Sequence, residues 1–148
     1  MPKMKWSELS KMQLGRFAEH YATMEFVSYG YDVYSAEVDD KGIDFIIKIN
    51  TEYYEVQVKS ARNFNYTCVM KDKMDIEDKY RLVCLLHFID DNLPEVYVIP
   101  ANAWQTPNPL LRDNRYEWGI NIVKKNMEIL ENYKIENLLL PNIFFKSI

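Results

Sequence analysis

The chain has 148 residues, a formal net charge of −4, 48% hydrophobic residues and 14% aromatic residues. Such a length and composition describe one ordered domain over residues 1–148 with a single buried core, and exclude a disordered tail. The acidic balance argues against indiscriminate coating of nucleic acid, whose footprint is a basic domain, yet leaves room for a local basic groove around an acidic metal site.

Neither an N-terminal apolar signal region nor a run of about 18 apolar residues is present, so a cytoplasmic protein without membrane spans is expected. Cys68 and Cys84 sit in apolar strand-like stretches without short metal spacing. Two reduced thiols are expected there, and no zinc site.

In chain order, the first predicted element is an amphipathic helix from about Ser7, its N-cap, to Ser28, stopped by Gly30. At about 100° per residue, Glu19 shares a stripe with Met12, Gly15, Ala22 and Phe26. The small residues let that face approach a sheet closely and carry Glu19 toward the strands that follow. Leu14, Phe17, Tyr21 and Met24 form a second apolar stripe, which needs a cover from the C-terminal segment or from another subunit.

Strands are predicted at 31–38, 43–49 and 53–60, with a further edge strand at 66–70. Residues 71–79 are charged and have room only for a short helix or a loop. The run 81–89 reads as a strand buried on both faces, and 95–99 as the strand after an Asp-Asp-Asn-Leu-Pro turn. The core is thus expected over about residues 7–105. A C-terminal extension follows from about 106 to 148, with one or two helical turns in 127–133 and an apolar tail at 138–145 that belongs out of water. Asp39 and Asp40 read as turn residues.

The densest chemistry lies between Gly42 and Lys59. Ile43, Phe45, Ile47 and Ile49 alternate with Asp44, Ile46 and Lys48; beyond Asn50-Thr51, Glu55, Gln57 and Lys59 share one strand face and Tyr54, Val56 and Val58 the other. A two-residue hairpin loop at Asn50-Thr51 sets Asp44 opposite Gln57 and Ile46 opposite Glu55. Opposed side chains have Cβ atoms ~4.5–5.5 Å apart, near enough to share one metal ion. Lys59, about 6.6 Å further along the strand, reaches a phosphate held by that ion. A strand interior disfavours Asp, which gives Asp44 the look of a ligand. Gln57 offers an oxygen to a hard cation but no charge. Glu55, one pair beyond, is expected to act through water or to pair with Lys48. By themselves these residues imply a hard cation and an anionic substrate. His20, about 100° round the helix from Glu19, is expected on the surface and His87 as a satisfied core histidine. Neither has a nucleophile partner for a hydrolase triad.

Asp44 followed by Gln57-Val58-Lys59 resembles the PD-(D/E)XK, or restriction-endonuclease-like, nuclease superfamily, in the QxK variant met in some restriction-type and group I intron homing endonucleases. Gly15-Arg16-Phe17-Ala18-Glu19 is similar to its first helix, whose Glu often completes the site. The resemblance spans about Gly15 to Pro100; the Pro usual before the motif Asp is absent, Ile43 standing there.

This resemblance implies an α/β fold with an αβββαβ core, a mixed central sheet flanked by helices, although 62–80 leaves little room for the helix between the third and fourth strands. It also implies a Mg²⁺-dependent (or Mn²⁺-dependent) endonuclease acting on double-stranded DNA. Glu19, Asp44, Gln57 and Lys59 would be catalytic, with Asp44, Gln57, Glu19 and the Val58 carbonyl as metal ligands. Arg62, Lys71 and Lys73 are candidates for the nucleic-acid backbone, or are simply solvated. Members of these groups act as oligomers, in accord with the unmatched apolar stripe, so a homo-oligomer, dimer or tetramer, is expected. The alternative is a catalytically inactive nuclease fold serving as a nucleic-acid-binding or assembly module, favoured by the acidic balance and the missing second acid.

Overall fold

Ser10, rather than Ser7, caps the first helix in this computed structural model, which describes residues 1–36 and 42–138. The Ser10 hydroxyl accepts from the Gln13 amide at 3.1 Å while Gln13 Oε1 accepts the Ser10 amide at 2.9 Å, a reciprocal capping box. Ser7 instead lies in a 3-10 turn, Trp6–Glu8, where its amide donates to Asp90 at 3.0 Å. Helix α1 runs over Lys11–Ser28. It closes as the sequence suggests: Gly30 takes a φ of 86°, and the amides of Tyr31 and Gly30 return to the carbonyls of Phe26 and Val27.

The face that α1 buries is Leu14, Ala18, Ala22 and Phe26. Met12 is 82% exposed, and a Cβ on Gly15 would meet nothing within 4 Å. The expected stripe is therefore turned part-way round. Ala18 supplies the close approach attributed to Gly15, and Leu14 leaves the outer stripe for the core.

Strands β1 (Asp32–Ser35), β2 (Phe45–Ile49), β3 (Glu52–Arg62), β4 (Tyr66–Met70), β5 (Arg81–Phe88) and β6 (Glu95–Pro100) follow. The main sheet has the order β1-β2-β3-β5-β6 and is mixed: β3 and β5 are parallel, the other neighbours antiparallel. Asn50, at a φ of 56°, and Thr51 make the two-residue turn. The register pairs Ile46 with Glu55 and Ile47 with Tyr54, as the hairpin pattern requires.

Between β3 and β5 the chain forms no α-helix. It forms β4, a 3-10 turn at Lys71–Lys73, and turns. Strand β4 leaves the main sheet and pairs with β8 (Glu117–Asn121), which also pairs with β7 (Leu111–Asp113). Short helices α2 (Met127–Glu131) and α3 (Ile135–Leu138) follow. The expected ends of the first strand beyond residue 36, the Asp39-Asp40 turn and the apolar tail past residue 138 lie outside the described residues.

Two apolar clusters sandwich the main sheet. On one face, Leu14, Ala18, Ala22 and Phe26 pack on Phe45, Ile47, Val56, Leu82 and Leu86. On the other, Val69, Trp104, Leu110 and Ile120 pack on Ala61, Val83, Leu85, Tyr97 and Ile99. Strand β5 is buried at every position because both faces are covered. Each large side chain fully removed from water there contributes about 1.5–3 kcal/mol. Among the described residues, no helix is long and apolar enough to cross a membrane.

Candidate active site

Alternation along β3 puts Tyr54 and Val56 on the α1 side of the sheet and Ala61 on the side covered by the smaller sheet. Glu55, Gln57 and Lys59 share the parity of Ala61, so all three face the smaller sheet. The Asp44 amide donates to the Val56 carbonyl at 2.9 Å, just past the last β2–β3 pair, Phe45 with Val56. Pairing to β2 stops there. The next amide on that edge of β3, Val58, donates at 2.7 Å to Asp44 Oδ2. In an extended strand the N–H and C=O of one residue point to the same edge, so the Val58 carbonyl is directed to the side where Asp44 stands.

Gln57 is 7% exposed and held from two sides. Its Oε1 accepts from Arg81 Nη2 at 2.8 Å. A Cβ built on Gly42, whose φ is 74°, would stand 2.7 Å from Gln57 Nε2, so the loop before Asp44 comes this close only because residue 42 is glycine. Lys59 is half-buried and lines a recess of about 300 Å³ with Lys11, Asn65 and Thr67. Across from it, burial and the Glu117 carboxylate push the Cys68 thiol up, while Lys59 pulls it down less strongly. Glu117 also accepts the Tyr66 hydroxyl, which in turn accepts from Asn114 Nδ2 at 2.8 Å. Burial and Glu117 together push the Tyr66 phenol up to about 12.

Glu19 sits on an exposed part of α1, over the opposite face of the sheet from Gln57 and Lys59. Phe17 packs against Phe88 of β5, and Phe26 against Phe45 of β2, so the two flanks of α1 look toward different strands. Glu19 lies on the Phe26 flank at about 100° per residue. It is therefore on the flank of α1 that looks toward β2. Glu55 lines a cavity of about 520 Å³ with Lys71, Asp72, Lys73 and Arg81. Lys48, a candidate partner for Glu55, lies 5.6 Å from the centre of the Tyr53 ring.

The expected basic groove is divided. Arg62 Nη1 donates to the carbonyls of Trp6 and Leu9 at 2.7 and 2.6 Å, fixing the chain that enters α1. Lys71 pairs with Asp113 and lies 4.2 Å from the Trp118 ring centre. His87 is buried and hydrogen-bonded to the Asn63 carbonyl at 2.6 Å, a satisfied core residue, and His20 is exposed. Both cysteines are free thiols.

Among the described residues, no three His, Cys, Asp or Glu side chains gather to hold a metal. At the Asp44 edge stand the Asp44 carboxylate and the Val58 main-chain carbonyl, and beside them the Gln57 amide, its oxygen on Arg81. An all-oxygen set of this kind fits a hard cation such as Mg²⁺ and not zinc. Sequence reasoning missed Arg81, Gly42 and the Tyr66–Glu117–Asn114 group. A charged residue opening the otherwise apolar run of β5 was the available signal for Arg81.

No protein-family model matches the sequence, and no curated protein matches it. Solved structures do. A bacterial homing endonuclease aligns with a TM-score of 0.65 at 14% identity, over 94% of this chain and 97% of that one. Hjc, a Holliday junction resolvase from the archaeal hyperthermophile Archaeoglobus fulgidus, aligns with a TM-score of 0.56 at 11% identity, over 84% of this chain and 93% of that one. The fold is thus an α/β fold shared with these two nucleases, built on a mixed central sheet.

Proposed function

We propose that the chain is a metal-dependent endonuclease hydrolysing phosphodiester bonds in double-stranded DNA, with a PD-(D/E)XK-type site in which Gln57 stands in place of the second acid. One observation carries the reading: the amide and the carboxylate of Asp44 bond to Val56 and Val58, on either side of Gln57, with Lys59 next along the Gln57 face of β3. That the two similar structures are nucleases supports it.

Asp44, Gln57, the Val58 carbonyl and Glu19 would hold a divalent ion, Mg²⁺ or Mn²⁺, which would supply charge to the scissile phosphate and acidity to a bound water. The Val58 amide fixes the Asp44 carboxylate at the edge of β3. Lys59 brings an ammonium that stabilises charge growing on the phosphoryl oxygens, or orients the attacking water. Glu55 acts through water, and Lys71 and Lys73, on the rim of the neighbouring cavity, contact the DNA backbone. Phe17, Tyr21 and Met24 line a groove of about 360 Å³ on the outside of α1, through which two or four copies assemble.

Incubation of supercoiled plasmid with the purified protein in Mg²⁺, Mn²⁺ or EDTA tests the reading. Nicking with either ion and none in EDTA is expected. DNA binding without cleavage under every condition would instead favour a nuclease fold retained as a binding module. Light scattering checks the assembly, which requires a mass above that of one chain.

A further inference from the structure

Arg81 opens β5 beside Glu55 of β3, and its guanidinium is turned toward Gln57, two residues further along β3. Both are buried, Arg81 at 4% exposure and Gln57 at 7%. Arg81 Nη2 also donates to the Lys73 carbonyl at 3.0 Å, so the backbone holds the guanidinium in place. On its other side the Gln57 amide nitrogen meets Gly42. The amide is clamped with its oxygen toward Arg81 and its nitrogen toward Gly42. This orientation follows from the chemistry, because a guanidinium is a donor only.

A carboxylate at position 57 would face that guanidinium at hydrogen-bond distance in buried surroundings. Opposite charges so placed form a strong, charge-assisted pair. Pairing with Arg81 would offset its negative charge, so that the acid would attract a cation little more than the amide does. An amide oxygen accepts the same hydrogen bond and still keeps a second lone pair for a cation. We propose that Arg81 is the positioning residue that makes position 57 an amide site, holding Gln57 Oε1 so that an acid there gains nothing for metal binding. The inference rests on the nuclease reading above.

Calorimetry with Mn²⁺ on the wild-type protein, Gln57→Glu, Arg81→Gln and the double variant tests it. With Arg81 present, Gln57→Glu is expected to change Mn²⁺ affinity by less than about threefold; in the Arg81→Gln background the same change is expected to tighten binding by about tenfold or more, the range of effects that outer partners have on metal ligands. Equal responses in the two backgrounds overturn the inference, whether both tighten or neither does. If the Arg81→Gln variants fail to fold, Arg81→Lys supplies the second background: a shorter side chain without the fork releases the acid in part, and an intermediate tightening is expected, while no difference from wild type overturns the proposal. A wild-type protein that binds no Mn²⁺ overturns the nuclease reading itself, and this inference with it. Tight wild-type binding with an uncoupled Gln57→Glu effect overturns the role of Arg81 alone.

Discussion

The Asp44 carboxylate accepts a hydrogen bond from the Val58 amide at 2.7 Å, so the acid at the strand edge also completes the backbone of β3. Asp44→Asn keeps an oxygen for that amide and removes the charge. It should abolish metal-dependent nicking while leaving the thermal midpoint near wild type. Asp44→Ala loses the charge-assisted bond as well and should cost about 1.5–3 kcal/mol in denaturant unfolding. Equal stability of the two variants would mean that the bond contributes nothing.

Lys59→Met removes the ammonium but keeps an unbranched stem in the recess beside Asn65 and Thr67. Cleavage should fall by at least about a hundredfold, a loss of the size seen when one charge-stabilising donor is removed. Mn²⁺ affinity by calorimetry should stay level or tighten slightly, because a competing positive charge is gone. Weaker metal binding would assign Lys59 a role in holding the site together.

Gly42→Ala should disturb both the backbone and Gln57. Its φ of 74° suits glycine, and the added carbon would approach Gln57 Nε2 to 2.7 Å. The backbone penalty alone is about 1–2 kcal/mol. Urea unfolding should register that loss, and Mn²⁺ affinity should fall with it, since Gln57 cannot retreat while Arg81 holds its oxygen.

Glu25 gives a pH signature away from the site. Burial chiefly, then the nearby Glu136 carboxylate, raises its carboxyl above the ordinary 4.5, against a lowering hydrogen bond from Tyr21. A folded state that holds the proton more tightly is most stable below the ordinary value and loses stability as pH rises through the raised one. Glu25→Gln should therefore raise the thermal midpoint at pH 7, by the equivalent of under about 1 kcal/mol because water screens part of the field. At pH 4 the two proteins should melt together. A midpoint lowered at pH 7 would contradict the assignment.

Much of this architecture was legible in the chain because it rests on local signals. Asn50-Thr51 set the hairpin and, through it, the register of Ile46 against Glu55; the near-continuous apolar run of β5 announced a strand covered on both sides. What escaped was set by tertiary contacts. Ser7 and Ser10 are equally good caps by type, and only Gln13, reaching back to Ser10, decides between them. The rotation of α1 depends on Trp6 and Phe88 claiming Phe17, a long-range packing choice that periodicity does not contain. Arg81 reaches Gln57 across a parallel pairing of β3 with β5, whose register no turn specifies. Arg62 was read as a free cation because its acceptors, two carbonyls before α1, lie more than fifty residues away.

The central claim, that Asp44 and its strand-edge neighbours hold a divalent ion, is tested most directly by anomalous scattering from crystals grown with Mn²⁺. The account predicts a single strong peak bounded by the Asp44 carboxylate, the Val58 carbonyl, Gln57 and Glu19, lost in Asp44→Asn. A Mn²⁺ peak among Asp72, Asp75 and Asp78 in the neighbouring cavity, with none at Asp44, would contradict it.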